Sequence, residues 1–155
     1  AGTGTVNITG TLSPGSSPGT LEIIGQTQIN EGFTYLFEVG AGDLFDSVAI
    51  TGNLNGNATG NATTLQLVDL GWTTAGMHDF VLLSYTGTTT LAAGTLDWLI
   101  GTGAPNWDLS GASNFHDTAN QQVVLRDAHK IIPEPASLAL LGLGSLLMLR
   151  RQRPA

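Results

Sequence analysis

Apolar and polar residues alternate in short runs from the first residues onward. Thr5-Val6-Asn7-Ile8 leads to Gly10-Thr11-Leu12 and then to the turn-forming stretch Ser13-Pro14-Gly15-Ser16-Ser17-Pro18-Gly19. Runs of the same kind follow at Thr20-Leu21-Glu22-Ile23-Ile24, Thr34-Tyr35-Leu36-Phe37-Glu38-Val39, Asp46-Ser47-Val48-Ala49-Ile50 and Thr64-Leu65-Gln66-Leu67-Val68. The later ones are Phe80-Val81-Leu82-Leu83-Ser84-Tyr85, Leu96-Asp97-Trp98-Leu99-Ile100 and Gln122-Val123-Val124-Leu125. Each is strand-length, rich in β-branched and aromatic residues, and bounded by Gly, Asn or Pro. No run before residue 135 sustains the 3.6-residue period of a helix. The body, residues 1–130, is therefore predicted to be all-β.

Two architectures accept this spacing. A right-handed parallel β-helix, or β-solenoid, stacks short strands into coils around a dry Val/Ile/Leu interior, with Gly, Asn and Thr in the corners. The recurring units Gly4-Thr5-Val6, Gly10-Thr11-Leu12, Gly19-Thr20-Leu21 and Gly94-Thr95-Leu96 suit it. An antiparallel β-sandwich accommodates a similar number of strands. Tight hairpin dipeptides are scarce, with Asn55-Gly56 as the candidate, which weighs against the sandwich.

Charge narrows the range of partners. The 155 residues carry 5 Lys and Arg against 12 Asp and Glu, and only 11% of the chain is charged. No basic residue precedes Arg126, so residues 1–125 hold ten carboxylates and no Lys or Arg. Such a body repels phosphate backbones, which excludes nucleic acid as a partner and leaves cations or cationic polymers as attracted species. The absence of cysteine excludes disulfides and thiolate metal sites. The opening Ala1-Gly2-Thr3 reads as mid-domain sequence with no export leader, so the chain is expected to be a fragment of a longer one.

The segment Gly10-Thr11-Leu12-Ser13-Pro14-Gly15-Ser16-Ser17-Pro18-Gly19-Thr20-Leu21 resembles the repeat of autotransporter-type β-strand proteins. The order continues through Glu38-Val39-Gly40 and Asp43-Leu44-Phe45-Asp46-Ser47-Val48-Ala49-Ile50-Thr51-Gly52. Phe80-Val81-Leu82-Leu83-Ser84-Tyr85-Thr86-Gly87 is similar to the family's terminal coil. The resemblance implies a right-handed β-helix for the body.

Residues 131–155 have a different character. Ile131-Ile132 leads into Pro133-Glu134-Pro135; residues 136–149 contain no charge; Arg150, Arg151 and Arg153 follow. Pro135 is suited to a helix start. A helix over the 14 residues 136–149 extends roughly 21 Å, a short transmembrane segment beside a bilayer core of about 30 Å. The arginines should remain cytoplasmic, which orients the body to the far side of the membrane. A Pro-Glu-Pro triplet, an apolar helix and a basic end resemble the PEP-CTERM sorting signal. That resemblance implies export in a Gram-negative bacterium and a transient inner-membrane anchor. It also implies recognition at Pro133, Glu134 and Pro135 by an exosortase, then release to the cell surface or the exopolysaccharide-rich extracellular matrix.

Little in the body points to catalysis. His78, His116 and His129 match no zinc spacing and read as polar loop residues. Ser110, His116 and Asp117 have the residue types of a nucleophilic triad, but there is no Gly-x-Ser-x-Gly elbow and no cysteine. Asp43 and Asp46 are the nearest pair of carboxylates and read as a solvated turn. No catalytic residue and no cofactor are assigned, and the protein is expected not to be an enzyme. Calcium on Asp43, Asp46, Asp69 and Asp79 is the secondary candidate, although the signature loops for that ion are absent. Trp98 reads as core. Trp107, in Ala104-Pro105-Asn106-Trp107-Asp108, is the candidate ligand contact, an aromatic face for a sugar. The expected function is that of a non-enzymatic surface or biofilm-matrix protein. The alternatives are a carbohydrate-binding or adhesive module and, behind it, a polysaccharide-acting enzyme.

Overall fold

Thr34 to Gly40 show how the alternation becomes structure. Tyr35, Phe37 and Val39 are fully buried, while Thr34, Leu36 and Glu38 between them are half-exposed. This is the two-residue period of a strand with one face on a core. The computed structural model describes residues 4–15, 18–30, 32–56, 63–101 and 104–132. Among them the chain forms 15 strands in three sheets and no helix. The apolar segment 136–149, expected to be helical, lies outside the described residues.

The chain visits the three sheets in rotation. A first round contains β1 (Thr5–Ile8), β2 (Thr11–Leu12) and β3 (Thr20–Ile24). A second contains β4 (Gln26–Ile29), β5 (Thr34–Gly40) with the short β6 (Leu44–Phe45) folded back on it, and β7 (Ser47–Thr51). A third contains β8 (Leu54–Gly56), β9 (Thr64–Leu70) and β10 (Gly76–Tyr85). Equivalent strands pair in parallel: β1 with β4 and β4 with β8, β2 with β5 and β5 with β9, β3 with β7 and β7 with β10. The pairing sets like side chains above one another. Tyr35 lies beside Leu65 and Phe37 beside Leu67; Leu21, Val48 and Leu83 form a column.

Beyond β10 the pattern changes. β11 (Gly94–Leu96) and β12 (Leu99–Ile100) divide what the sequence shows as one apolar run. β12 continues the second ladder in parallel on β9. β11 joins β13 (Trp107–Asp108), β14 (Ser113–Asp117) and β15 (Gln122–Lys130) in an antiparallel extension of the third sheet. β15 pairs with both β10 and β14. The antiparallel pairing a sandwich requires is thus confined to β5–β6 and to the strands after β9. Asn55 and Gly56, the hairpin candidate, lie instead within β8, paired in parallel with Gln28 and Ile29. Register shifts between His78 and Phe80 and between Val81 and Leu83 let β10 bury Phe80 and Leu82 and then Leu83 and Tyr85, a change of parity that a β-bulge permits.

One corner recurs in all three rounds. The Gly25 amide donates to the Thr51 carbonyl, and that of Gly87 to Gly52. A Cβ on Gly52 would lie 2.1 Å from the Gly25 oxygen, and Gly52 has φ +151°. A Cβ on Gly87 would lie 2.8 Å from the Gly52 backbone. Only glycine lets these corners stack so closely.

Two polar residues depart from the sequence expectation, and a third is buried where sequence offered no reading. Asp46, placed by sequence on a solvated turn, is fully buried. Its carboxylate accepts the Gly19 amide at 2.9 Å and the Glu38 amide at 3.0 Å, which tie successive rounds together. His116, expected in a loop, lies on β14 and is 1% exposed. Its Nδ1–H donates to the Ala92 carbonyl at 2.8 Å, leaving Nε2 to accept the Tyr85 hydroxyl, also at 2.8 Å. Burial raises the Tyr85 hydroxyl above its ordinary pKa. Thr27, on the polar strand β4, is fully buried as well.

Candidate functional site

The richest cluster of side chains lies where β9, β10, β13 and β15 converge. Asp69, near the end of β9, accepts the amides of Gly71 and Trp72 through Oδ1, each at 2.8 Å. That Asx-type turn brings Trp72 back over the sheet. Trp72 packs against His78 and Phe80 of β10, with ring centroids 5.1 and 5.3 Å away, and against Trp107 of β13 at 6.2 Å. Trp107 is paired in register with Lys130 of β15. The indole N–H of Trp107 donates to Asp69 Oδ2 at 3.0 Å, and the Lys130 ammonium forms an ion pair with the same oxygen. The ammonium also lies 5.3 Å from the Trp107 ring centroid.

The electrostatics of this corner are set by competing effects on Asp69. Burial raises its pKa, but Lys130, the amides of Trp72 and Gly71 and the Trp107 indole together lower it to about 2. Lys130 is 5% exposed, which is rare for lysine unless it is paired. The ion pair therefore fixes the end of β15, and Trp107 covers it.

On the outer side lies a cleft of about 290 Å³ lined by Asp43, Phe45, Trp72, Thr74, His78, Asp79 and Phe80. The Thr74 carbonyl accepts the Trp72 indole N–H at 2.9 Å and His78 Nε2–H at 3.0 Å. The Thr74 hydroxyl donates to Asp43 Oδ1 at 2.8 Å. Asp79 Oδ1 accepts the Asp127 amide at 3.0 Å. The rim is thereby built on intramolecular bonds, with aromatic walls and carboxylates at its mouth.

The structure separates the residues that sequence had grouped. Trp107, the candidate ligand contact, is 8% exposed and stands behind the cleft wall, because its indole is engaged by Asp69. Trp98 is half-buried, edge-on to Phe33 at 5.9 Å. Phe45 and His78, both half-exposed, with the largely buried Trp72 behind them, line the cleft instead, a group that sequence did not single out. Their signal was weak, since they come from three separate runs. Of the triad residue types, His116 has both ring nitrogens engaged by Tyr85 and Ala92, while Asp117 caps the amides of Ala119 and Asn120. The four carboxylates weighed for calcium are dispersed: Asp46 binds amides and Asp69 binds Lys130, with only Asp43 and Asp79 at the cleft. Among the described residues no three His, Asp or Glu side chains converge on a metal position. Pro133, Glu134 and Pro135, and Arg150, Arg151 and Arg153, lie outside the described residues.

β15 ends at Lys130, and the Ile131 amide donates to the Asn106 carbonyl at 2.8 Å, so the body is tied down up to the point where the tail begins. The all-β body is followed at once by an apolar, basic-ended tail with the make-up of a protein-sorting signal. The signal is the PEP-CTERM protein-sorting motif, which matches residues 132–153. It implies processing by an exosortase and a transient membrane anchor before that processing. No curated protein and no solved structure matches the chain.

Proposed function

We propose that the chain is a non-enzymatic protein of the cell surface or exopolysaccharide matrix, whose body is a short β-solenoid closed by an antiparallel cap. The observation that carries this reading is the sorting motif at 132–153, beginning two residues after the last strand. A signal so placed can be removed without disturbing any strand of the body. The rotation of the chain through three parallel ladders and the stacked Gly25, Gly52 and Gly87 corners support the solenoid, and with it the likeness to autotransporter-type passengers. The non-enzymatic reading draws on the separate structural engagements of Ser110, His116 and Asp117. Intact mass, measured on the protein expressed behind an export leader with and without an exosortase, tests the sorting step. Loss of the tail near Pro133–Pro135 only when the exosortase is present is the expected result. An uncut chain in both strains, retained in the inner membrane, would make the tail a permanent anchor.

A second reading, saccharide recognition, draws on the aromatic cleft between Phe45 and Trp72. Aromatic faces flanked by hydrogen-bonding groups suit the apolar and hydroxylated sides of a pyranose. Retention of the body on an immobilised exopolysaccharide, reduced by Phe45→Ala, is expected; no retention leaves the structural role alone.

A further inference from the structure

We propose that the cleft lined by Phe45, Trp72, His78, Asp43 and Asp79 takes a saccharide unit bearing a protonated amine. The proposal rests on the recognition reading above and names the class of sugar. The walls are aromatic, and an aromatic face attracts a cation as well as the C–H face of a sugar ring. Asp43 and Asp79 stand at the mouth with Oδ1 engaged by Thr74 and by the Asp127 amide, and among the described residues no partner occupies either Oδ2. Two carboxylate oxygens are thus oriented by the protein and available to an ammonium, a charge-assisted pairing.

No lysine or arginine lines the cleft. Among the described residues the lysine and arginine side chains are Arg126, stacked 3.5 Å over Phe115, and Lys130, paired with Asp69; the basic group at the cleft is the His78 imidazole, whose Nε2–H is held by the Thr74 carbonyl. An anionic saccharide finds no lysine or arginine there and meets the field of a body that holds ten carboxylates before Arg126. At about 290 Å³ the cleft is at the lower end of small-molecule sites and admits one ring, with further units of a polymer lying outside.

Asp43→Asn and Asp79→Asn keep the Oδ1 acceptors and replace each charged Oδ2 with a neutral amide donor, and asparagine tolerates the left-handed backbone at position 43, where φ is 60°. The full chain in mild detergent is titrated by calorimetry with glucosamine oligomers, their N-acetylated counterparts, oligogalacturonate and trilysine. Binding of the glucosamine oligomer is expected, with at least tenfold weaker binding after N-acetylation. Each Asn variant should weaken it roughly fivefold, the scale of one partly exposed charge pair, at an unchanged melting temperature. Equal binding of the N-acetylated oligomer, or stronger binding of oligogalacturonate, overturns the amine while leaving saccharide recognition standing. Trilysine binding as tightly as the amino sugar overturns the saccharide. Binding untouched by either variant removes it from this cleft, and no binding by any probe overturns this inference and the recognition reading together.

Discussion

Replacing Lys130 by Met tests the corner on which β15 is anchored. The substitution keeps the length and much of the packing of the side chain but leaves Asp69 as a partly buried carboxylate without its cation. Breaking a buried pair in this way costs about 3–5 kcal/mol. The lower end applies here, because Asp69 retains the amides of Gly71 and Trp72 and the indole of Trp107. The fall of Asp69 from 3.8 to about 2 gives an independent scale: at about 1.4 kcal/mol per pH unit it amounts to about 2–3 kcal/mol of stability. Since the folded-state value is the lower one, that stability is complete above roughly pH 5 and is lost as the pH falls toward 2. Urea unfolding followed by tryptophan fluorescence reads the effect directly, with Trp72 and Trp107 at the site. Lys130→Met should be about 3 kcal/mol less stable than the parent at pH 7, and most of the gap should close by pH 2. Lys130→Met with Asp69→Asn should recover part of the loss, because no buried charge then remains. A loss below 1 kcal/mol at pH 7, or a gap that stays constant into acid, would refute the claim that a buried ion pair holds this corner.

Three further substitutions probe the body. Tyr85→Phe leaves the buried Nε2 of His116 without its donor and should cost about 2 kcal/mol, lowering the melting temperature by several degrees; an unchanged melting temperature would mean that the pair contributes nothing. Asp46→Ala leaves the amides of Gly19 and Glu38 unpaired, with an expected loss of about 3 kcal/mol in denaturant titration, and Asp46→Asn should lose clearly less. Gly52→Ala places a methyl 2.1 Å from the Gly25 oxygen and should lower the urea midpoint by the equivalent of at least about 3 kcal/mol or abolish folding; a parent-like midpoint would show that the corners do not stack this closely.

The strands that sequence displayed are those whose apolar positions alternate: Thr5–Ile8, Thr20–Ile24, Thr34–Gly40 and Thr64–Leu70 all appear close to where the pattern sets them. Those it concealed have polar interiors. β4 reads Gln26-Thr27-Gln28-Ile29, and its inward Thr27 carries no hydrophobic signal. In β14 the inward positions are Asn114 and His116, while Phe115 faces out beneath Arg126. The order of apolar and polar residues there is the reverse of a strand covering a core, and partners far along the chain, Tyr85 and Ala92, make it workable. The candidate site shows the same division. An exposed-looking Trp107 in a Pro-Asn turn gave no sign that Asp69, 38 residues away, would draw its indole inward. The tail, by contrast, was legible because its signal is linear: the triplet, the uncharged stretch and the arginines need no tertiary partner.

The position of β15 has a consequence for secretion. It is the last described strand in the chain, yet it sits inside its sheet, with β10 on one side and β14 on the other. A polypeptide emerging from a membrane pore with its amino end leading can zip its parallel ladders together as each strand appears, since every pairing up to β10 looks backward along the chain. β11 and β13 have no such option; the partner of β11 is β14 and that of β13 is β15, and each of those emerges later. The keystone therefore arrives with the very residues that adjoin the sorting motif, and the body reaches its final form only when the tail is already at the membrane. Completion of the third sheet and presentation of the processing site are, by topology, successive moments of a single event.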